Sequence, residues 1–238
     1  MQTEQSQAKV LILGIGNLLW ADEGFGVRAV ECLRDHYRFG DNVTLLDGGT
    51  QGIYLVQNIR EADILVVFDA VDYGLPAGTL KRVEGDRVPK FLGAKKVSLH
   101  QTGFQEVLAM AEMLGDYPDH LLLVGVQPVQ LEDYGGSLCP QVKAQIGPAI
   151  DVALEYLAGL VIGARPRETP LSADPEAGAI ADIQRYEIER PAEHEACREG
   201  DARVLLSPDF SIAYQPAPVD GVSVPVDQHL DKYREGDG

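Results

Sequence analysis

Along the chain, apolar residues come in short unbroken runs that alternate with longer stretches of helical spacing. Residues 9–14 (KVLILG), 43–46, 64–68 (ILVVF) and 120–126 (HLLLVGV) are such runs, as expected for strands covered on both faces. Residues 79–84 alternate and are more polar, which predicts an edge strand. Between these runs, residues 25–36 place Val27, Val30, Cys32 and Leu33 near helical spacing, and residues 53–60, 101–114 and 142–160 read as three further helices. The order of strands and helices predicts an α/β fold: a three-layer sandwich with a mostly parallel, five-stranded twisted sheet flanked by helices.

These elements occupy residues 1–160. From 161 to 238 the pattern changes to scattered acids and short apolar pieces, with eight of the chain's 14 prolines. Such a stretch lacks the apolar density for a second core. The expectation is one domain over residues 1–160, followed by an acidic, Pro-rich extension that is extended or partly disordered.

In an open parallel sheet, the loops leaving the carboxyl ends of the strands gather along one edge, so residues distant in sequence converge there. Glu23 lies in a glycine-rich loop after the first strand, Asp69 ends the ILVVF strand, and His100 stands at the start of a helix. Together they offer two oxygen donors and one nitrogen with coordination positions left open, and a cation would relieve the repulsion between the two acids. Singly, each has an ordinary reading: a solvated loop acid, a helix cap, a structural imidazole. Their common placement at strand ends carries the metal reading.

Charge and cysteine content narrow the partners. Lys+Arg 20 against Asp+Glu 37 leaves a net charge of −17, which opposes nucleic acid and anionic membrane and suits a protein partner with a basic segment. Cys32, Cys139 and Cys197 are far apart and form no C-x-x-C pair, so neither a disulfide framework nor a thiolate zinc site is indicated, and a reducing cytoplasm fits. The chain start has no basic region followed by an apolar run, and no apolar stretch reaches the roughly 20 residues of a membrane span, so a soluble, unprocessed cytoplasmic protein is expected.

Gly14, Gly16 and Asp47 suggest a dinucleotide site, but Leu19 stands where the third glycine belongs, and Asp22 and Glu23 place negative charge where phosphate would sit. There is no G-x-S-x-G elbow, and Cys139 has no histidine partner nearby in sequence. Trp20, the only tryptophan, sits in the loop beside the acids, where packing and partner contact both fit.

The segments GIGNLLWADEGFG, DGGTQG, VVFDAVD and SLHQTG, in this order and spacing, resemble the nickel-iron hydrogenase maturation endopeptidases over residues 8–160. The first loop is most similar to the uptake hydrogenase branch. The resemblance implies an enzyme that clips the C-terminal extension from the hydrogenase large-subunit precursor once nickel is installed. The nickel is then borne by the substrate, and the free enzyme need hold none. It implies Glu23, Asp69 and His100 as metal ligands and catalytic residues. It also implies Asp47, Gly48, Gly49, Thr50 and Gly52 as a substrate-binding segment, whose backbone can pair with an extended peptide. The partner is the precursor, and a monomer is expected when free. A non-catalytic chaperone that checks the precursor for nickel, or a nucleotide-binding domain, are the alternatives. The stretch after residue 160 lies outside the resemblance.

Overall fold

The computed structural model describes residues 7–92, 99–131, 133–171 and 183–189, with side chains described for all of these except 91–103, 184, 185 and 189. Strand β1 (Val10–Ile15) leads through a 3-10 turn (Ala21–Gly24) into α1 (Phe25–His36), then β2 (Tyr37–Phe39) and β3 (Val43–Gly49). A second 3-10 turn (Gly52–Leu55) opens α2 (Val56–Arg60), followed by β4 (Ile64–Ala70), β5 (Leu80–Glu84) and α3 (Val88–Leu92). The remaining elements are α4 (Leu99–Met113), β6 (His120–Val126), α5 (Pro140–Lys143), α6 (Ile146–Gly159), β7 (Ala164–Pro166) and α7 (Ile183–Glu189).

The main sheet has the order β3-β1-β4-β6-β5, parallel except for β5, which runs antiparallel to β6 at the edge. This is the mostly parallel, five-stranded α/β sandwich expected from the sequence. Successive strand side chains point to opposite faces, and β4 shows why its run has no polar break. Ile64, Val66 and Phe68 pack into the layer with Phe25, Ala29 and Leu33 of α1 and Ile150 and Leu157 of α6. Leu65 and Val67 pack into the opposite layer with Ile59 of α2 and Phe104, Val107 and Leu108 of α4. Burying one such aliphatic side chain contributes about 1.5–3 kcal/mol.

The chain passes from β1 to β3 on one side of the sheet, then crosses to β4 on the other side of β1. Strand order therefore reverses between β1 and β4, and a crevice opens at their carboxyl ends. That crevice positions the candidate site.

The helix expected over residues 142–160 is two helices, α5 and α6, separated by Ala144 and Gln145. Pro148 is the reason: in one continuous helix its ring would press on the carbonyl of residue 144. As the third residue of α6 it lies in the first turn, where a missing N–H leaves no ladder bond unmade. Two described stretches beyond residue 160 are also ordered: β7 pairs antiparallel with β2 as Tyr37↔Pro166, Arg38↔Arg165 and Phe39↔Ala164, and α7 forms a short helix. Among the described residues, no helix is long and apolar enough to cross a membrane.

Candidate active site

Close backbone packing builds the crevice. A Cβ at Gly26, in the first turn of α1, would collide with the carbonyl oxygens of Phe68 and Ile15. Glycine there lets the start of α1 rest directly on the ends of β1 and β4. Gly16 has φ +129, a backbone conformation L side chains rarely adopt, and a Cβ on it would strike the carbonyl oxygen of Glu23. The turn carrying Glu23 is thus drawn onto the end of β1 and lies against β4. These glycines are occupied by chain packing, which leaves the phosphate cradle of the nucleotide reading without a basis.

Asp69 is the penultimate residue of the central strand, fully buried and in register with Gly125 of β6. By the alternation of the strand it shares a face with Leu65 and Val67, the face covered by α4, whose second residue is His100. A Cβ on Gly125 would meet the Tyr73 hydroxyl, so that phenol lies over the glycine opposite Asp69. Burial, and then the negative charge of Asp69, push the Tyr73 phenol far above its ordinary range, so it stays protonated.

Glu23 is partly buried in the 3-10 turn. Desolvation pushes its carboxyl up from 4.5 to about 7, so near neutral pH it exchanges a proton. The structure thus packs the turn that bears Glu23 against β4, which carries Asp69 at its carboxyl end, and covers the Asp69 face of the sheet with α4. The His100 side chain lies outside the described ones, and among the described residues no three acid, imidazole or thiol side chains gather as a metal-binding group.

Two residues that hold the loops together were given no role from the sequence. Asp22, fully buried, accepts hydrogen bonds at Oδ2 from the N–H groups of Val129 (2.8 Å) and Gln130 (2.9 Å), and at Oδ1 from Cys139 N–H (2.7 Å). It is an anion held by backbone, and it ties the loop after β6 to the turn bearing Glu23. Gln127 does the same for the loop after β4. Its Oε1 accepts from the N–H groups of Tyr73 (2.8 Å) and Leu75 (3.1 Å), and its Nε2 donates to Asp72 (2.9 Å). An acid adjacent to a candidate ligand and a lone glutamine just past a core strand are the only sequence signals for either.

Cys139 is no nucleophile here. Burial and the Asp22 carboxylate push its thiol up to about 11, so it is protonated at neutral pH. Trp20 meets Tyr134 edge to face, with ring centroids 5.4 Å apart, through an isolated bridge, and it is still 36% exposed. Leu19, Val129 and Tyr134 are exposed with it, so an apolar wall stands beside Glu23. Both readings of Trp20, packing and a surface open to a partner, therefore fit.

The glycine-rich segment lies beside the loop that leaves β1. Asp47, Gly48 and Gly49 end β3, an edge strand whose outer side, among the described residues, has no neighbour in the sheet. Thr50 and Gly52 continue into the turn, with Ile53 and Tyr54 exposed beyond them. Gly49 carbonyl accepts from Gly16 N–H (3.1 Å), fastening this segment to the Glu23 loop. A separate cleft of about 640 Å³, lined by Arg38, Asn42, Ile162 and Arg165 among others, has no acid or imidazole among the described residues of its wall and lies away from the end of β4.

A family model described as hydrogenase maturation protease matches residues 27–156. A hydrogenase expression/formation protein, HupD of Thiocapsa roseopersicina, is 65% identical over 204 residues, 85% of this chain and 92% of the relative. HupM of Azotobacter chroococcum is 61% identical over 203 residues, 85% of this chain and 96% of that protein. The solved structure of the hydrogenase maturating endopeptidase HybD from Escherichia coli superposes with a TM-score of 0.64 at 38% identity, covering 67% of this chain and 98% of its own. A match over 85% of the chain must take in residues 183–189, whereas one over 67% cannot span both β1 and α7. The glycine-built crevice, the packing of the Glu23 turn against the strand that carries Asp69, and these similarities lead to one conclusion: this chain belongs to the hydrogenase maturation protease family.

Proposed function

We propose that this protein is the endopeptidase that removes the C-terminal extension of the nickel-iron hydrogenase large-subunit precursor, acting as a cytoplasmic monomer and only after nickel is in place. Glu23, Asp69 and His100 engage the nickel ion carried by the substrate. The metal polarises the scissile carbonyl or lowers the pKa of the attacking water. The extended peptide lies along the open edge of β3, with backbone of Asp47, Gly48, Gly49, Thr50 and Gly52 as its partner. The observation that supports this reading is the packing of the Glu23 turn against β4, the strand that ends in buried Asp69, at the point where strand order reverses, with Glu23 able to yield a proton near pH 7.

The test incubates the purified protein with nickel-loaded and nickel-free precursor and follows the mass of the large subunit. Cleavage of the loaded form alone, lost in a folded His100→Ala variant, is the expected result. Equal processing of both forms, or unimpaired processing by His100→Ala, would remove the mechanism. Binding of loaded precursor without any mass change would assign the protein to the chaperone class instead.

A further inference from the structure

Helix α7 is only seven residues long, yet two of its side chains, Tyr186 and Glu187, converge on one segment of the body. The Glu187 carboxylate accepts hydrogen bonds from Ser137 Oγ (2.8 Å) and from Lys143 Nζ (2.9 and 2.7 Å). The Tyr186 ring faces the buried Arg28 guanidinium 5.6 Å from its centroid, and its hydroxyl reaches the Gly136 carbonyl (3.5 Å). Apart from Arg28, all these partners lie in residues 136–143, directly after Tyr134.

The other side of that segment is tied to the first loop. Cys139 N–H donates to Asp22 (2.7 Å), Gly135 N–H donates to the Leu19 carbonyl (2.7 Å), and Tyr134 is bridged to Trp20. The segment is therefore gripped between α7 and the turn that bears Glu23. The helix also lies in the part of the chain shared with the HupD and HupM relatives, beyond what the Escherichia coli endopeptidase fold covers together with β1.

We propose that α7 is a positioning element for the candidate site. By holding residues 136–143 through Glu187 and Tyr186, it sets where the Trp20–Tyr134 wall stands beside Glu23, and hence how tightly an apolar stretch of the precursor is held. The inference rests on the proposed function only for the meaning of that wall. The grip itself can be read without any substrate, because Trp20 is the only tryptophan in the chain.

The experiment compares full-length wild type, Glu187→Ala, Tyr186→Ala and the charge-exchanged pair Lys143→Glu with Glu187→Lys. It measures acrylamide quenching of Trp20, the urea midpoint, and KM and kcat on nickel-loaded precursor. Each single variant is expected to make Trp20 more quenchable and to raise KM about fivefold with kcat unchanged, the scale of one partly exposed ion pair with its hydrogen bonds. The exchanged pair should return both readouts toward wild type. Unaltered quenching in both single variants would overturn the grip. Altered quenching with unchanged KM, or a loss that follows the urea midpoint and is not restored by the exchange, would overturn the positioning role. If wild type fails to cleave, the proposed function falls, while quenching still decides whether α7 holds the wall.

Discussion

Replacing Asp22 by asparagine tests whether an anion ties the two sides of the crevice together. Asp22 has no exposed surface and accepts three backbone N–H bonds between 2.7 and 2.9 Å. Asparagine keeps one oxygen. With that oxygen toward Val129 and Gln130, its NH2 group faces the Cys139 N–H, donor against donor. Flipped, it satisfies Cys139 and abandons the other two. The better orientation orphans one buried N–H, at about 1–3 kcal/mol, and reduces two charge-assisted bonds to neutral ones, at about 0.5–1.5 kcal/mol each. Release of the carboxylate from its own desolvation offsets part of this, leaving a net loss of about 3 kcal/mol.

Urea unfolding checks the number: the midpoint should fall with the slope m unchanged, and Trp20 emission should shift because Tyr134 rides on the released loop. Alanine at the same position orphans all three donors and should be worse than asparagine by about 1–2 kcal/mol. A loss below about 0.5 kcal/mol for Asp22→Asn would refute the reasoning, since surface substitutions away from any such feature already span that range.

Three further outcomes follow from the same geometry. Gly26→Ala should abolish folding or processing, because the carbonyls of Phe68 and Ile15 occupy the space, whereas Gly147→Ala, which meets nothing, should leave thermal unfolding unchanged or raise its midpoint slightly. Glu23 is protonated in the fold and ionised in the unfolded chain between pH 4.5 and about 7, so it destabilises the metal-free protein as pH rises through that window. The raw shift, discounted for solvent screening, amounts to about 1–2 kcal/mol, and it should appear as the difference between wild type and Glu23→Gln in urea midpoints across that range. Cys139→Ala should retain processing, and the wild-type thiol should alkylate slowly at pH 7, because the thiol is held up to about 11.

The sheet was legible because a doubly covered strand must be apolar throughout, as Ile64–Phe68 is, and because glycine-bearing loops at the carboxyl ends mark the functional edge. The places of Asp69 at the end of a strand and of Glu23 in the loop after β1 were legible for the same reason. Asp22 and Gln127 were not. Their bonds join residues 52 to 117 positions apart, and no local period encodes such a pairing. The break before Ile146 was readable in principle from Pro148. The β2–β7 pair was not, since three-residue strands leave no alternation and Pro166 argues against one. Helix α7 is short and bordered by proline and acids, and its order comes from Lys143, Ser137 and Arg28 on other elements.

The state of Glu23 explains how a site built from acids can discriminate between two forms of one substrate. Burial withdraws the Glu23 carboxyl from water, and desolvation alone lets it keep its proton near pH 7. In that state Glu23 presents no charge to a metal-free peptide, whose binding, under the proposed function, then rests on the β3 edge and the apolar wall. Under the proposed function, a substrate-borne divalent cation displaces the Glu23 proton and is attracted to the carboxylate so formed, more strongly for its partial burial. The proton that burial leaves on Glu23 is thus the reason that, under the proposed function, a precursor without nickel is held too weakly to be cut.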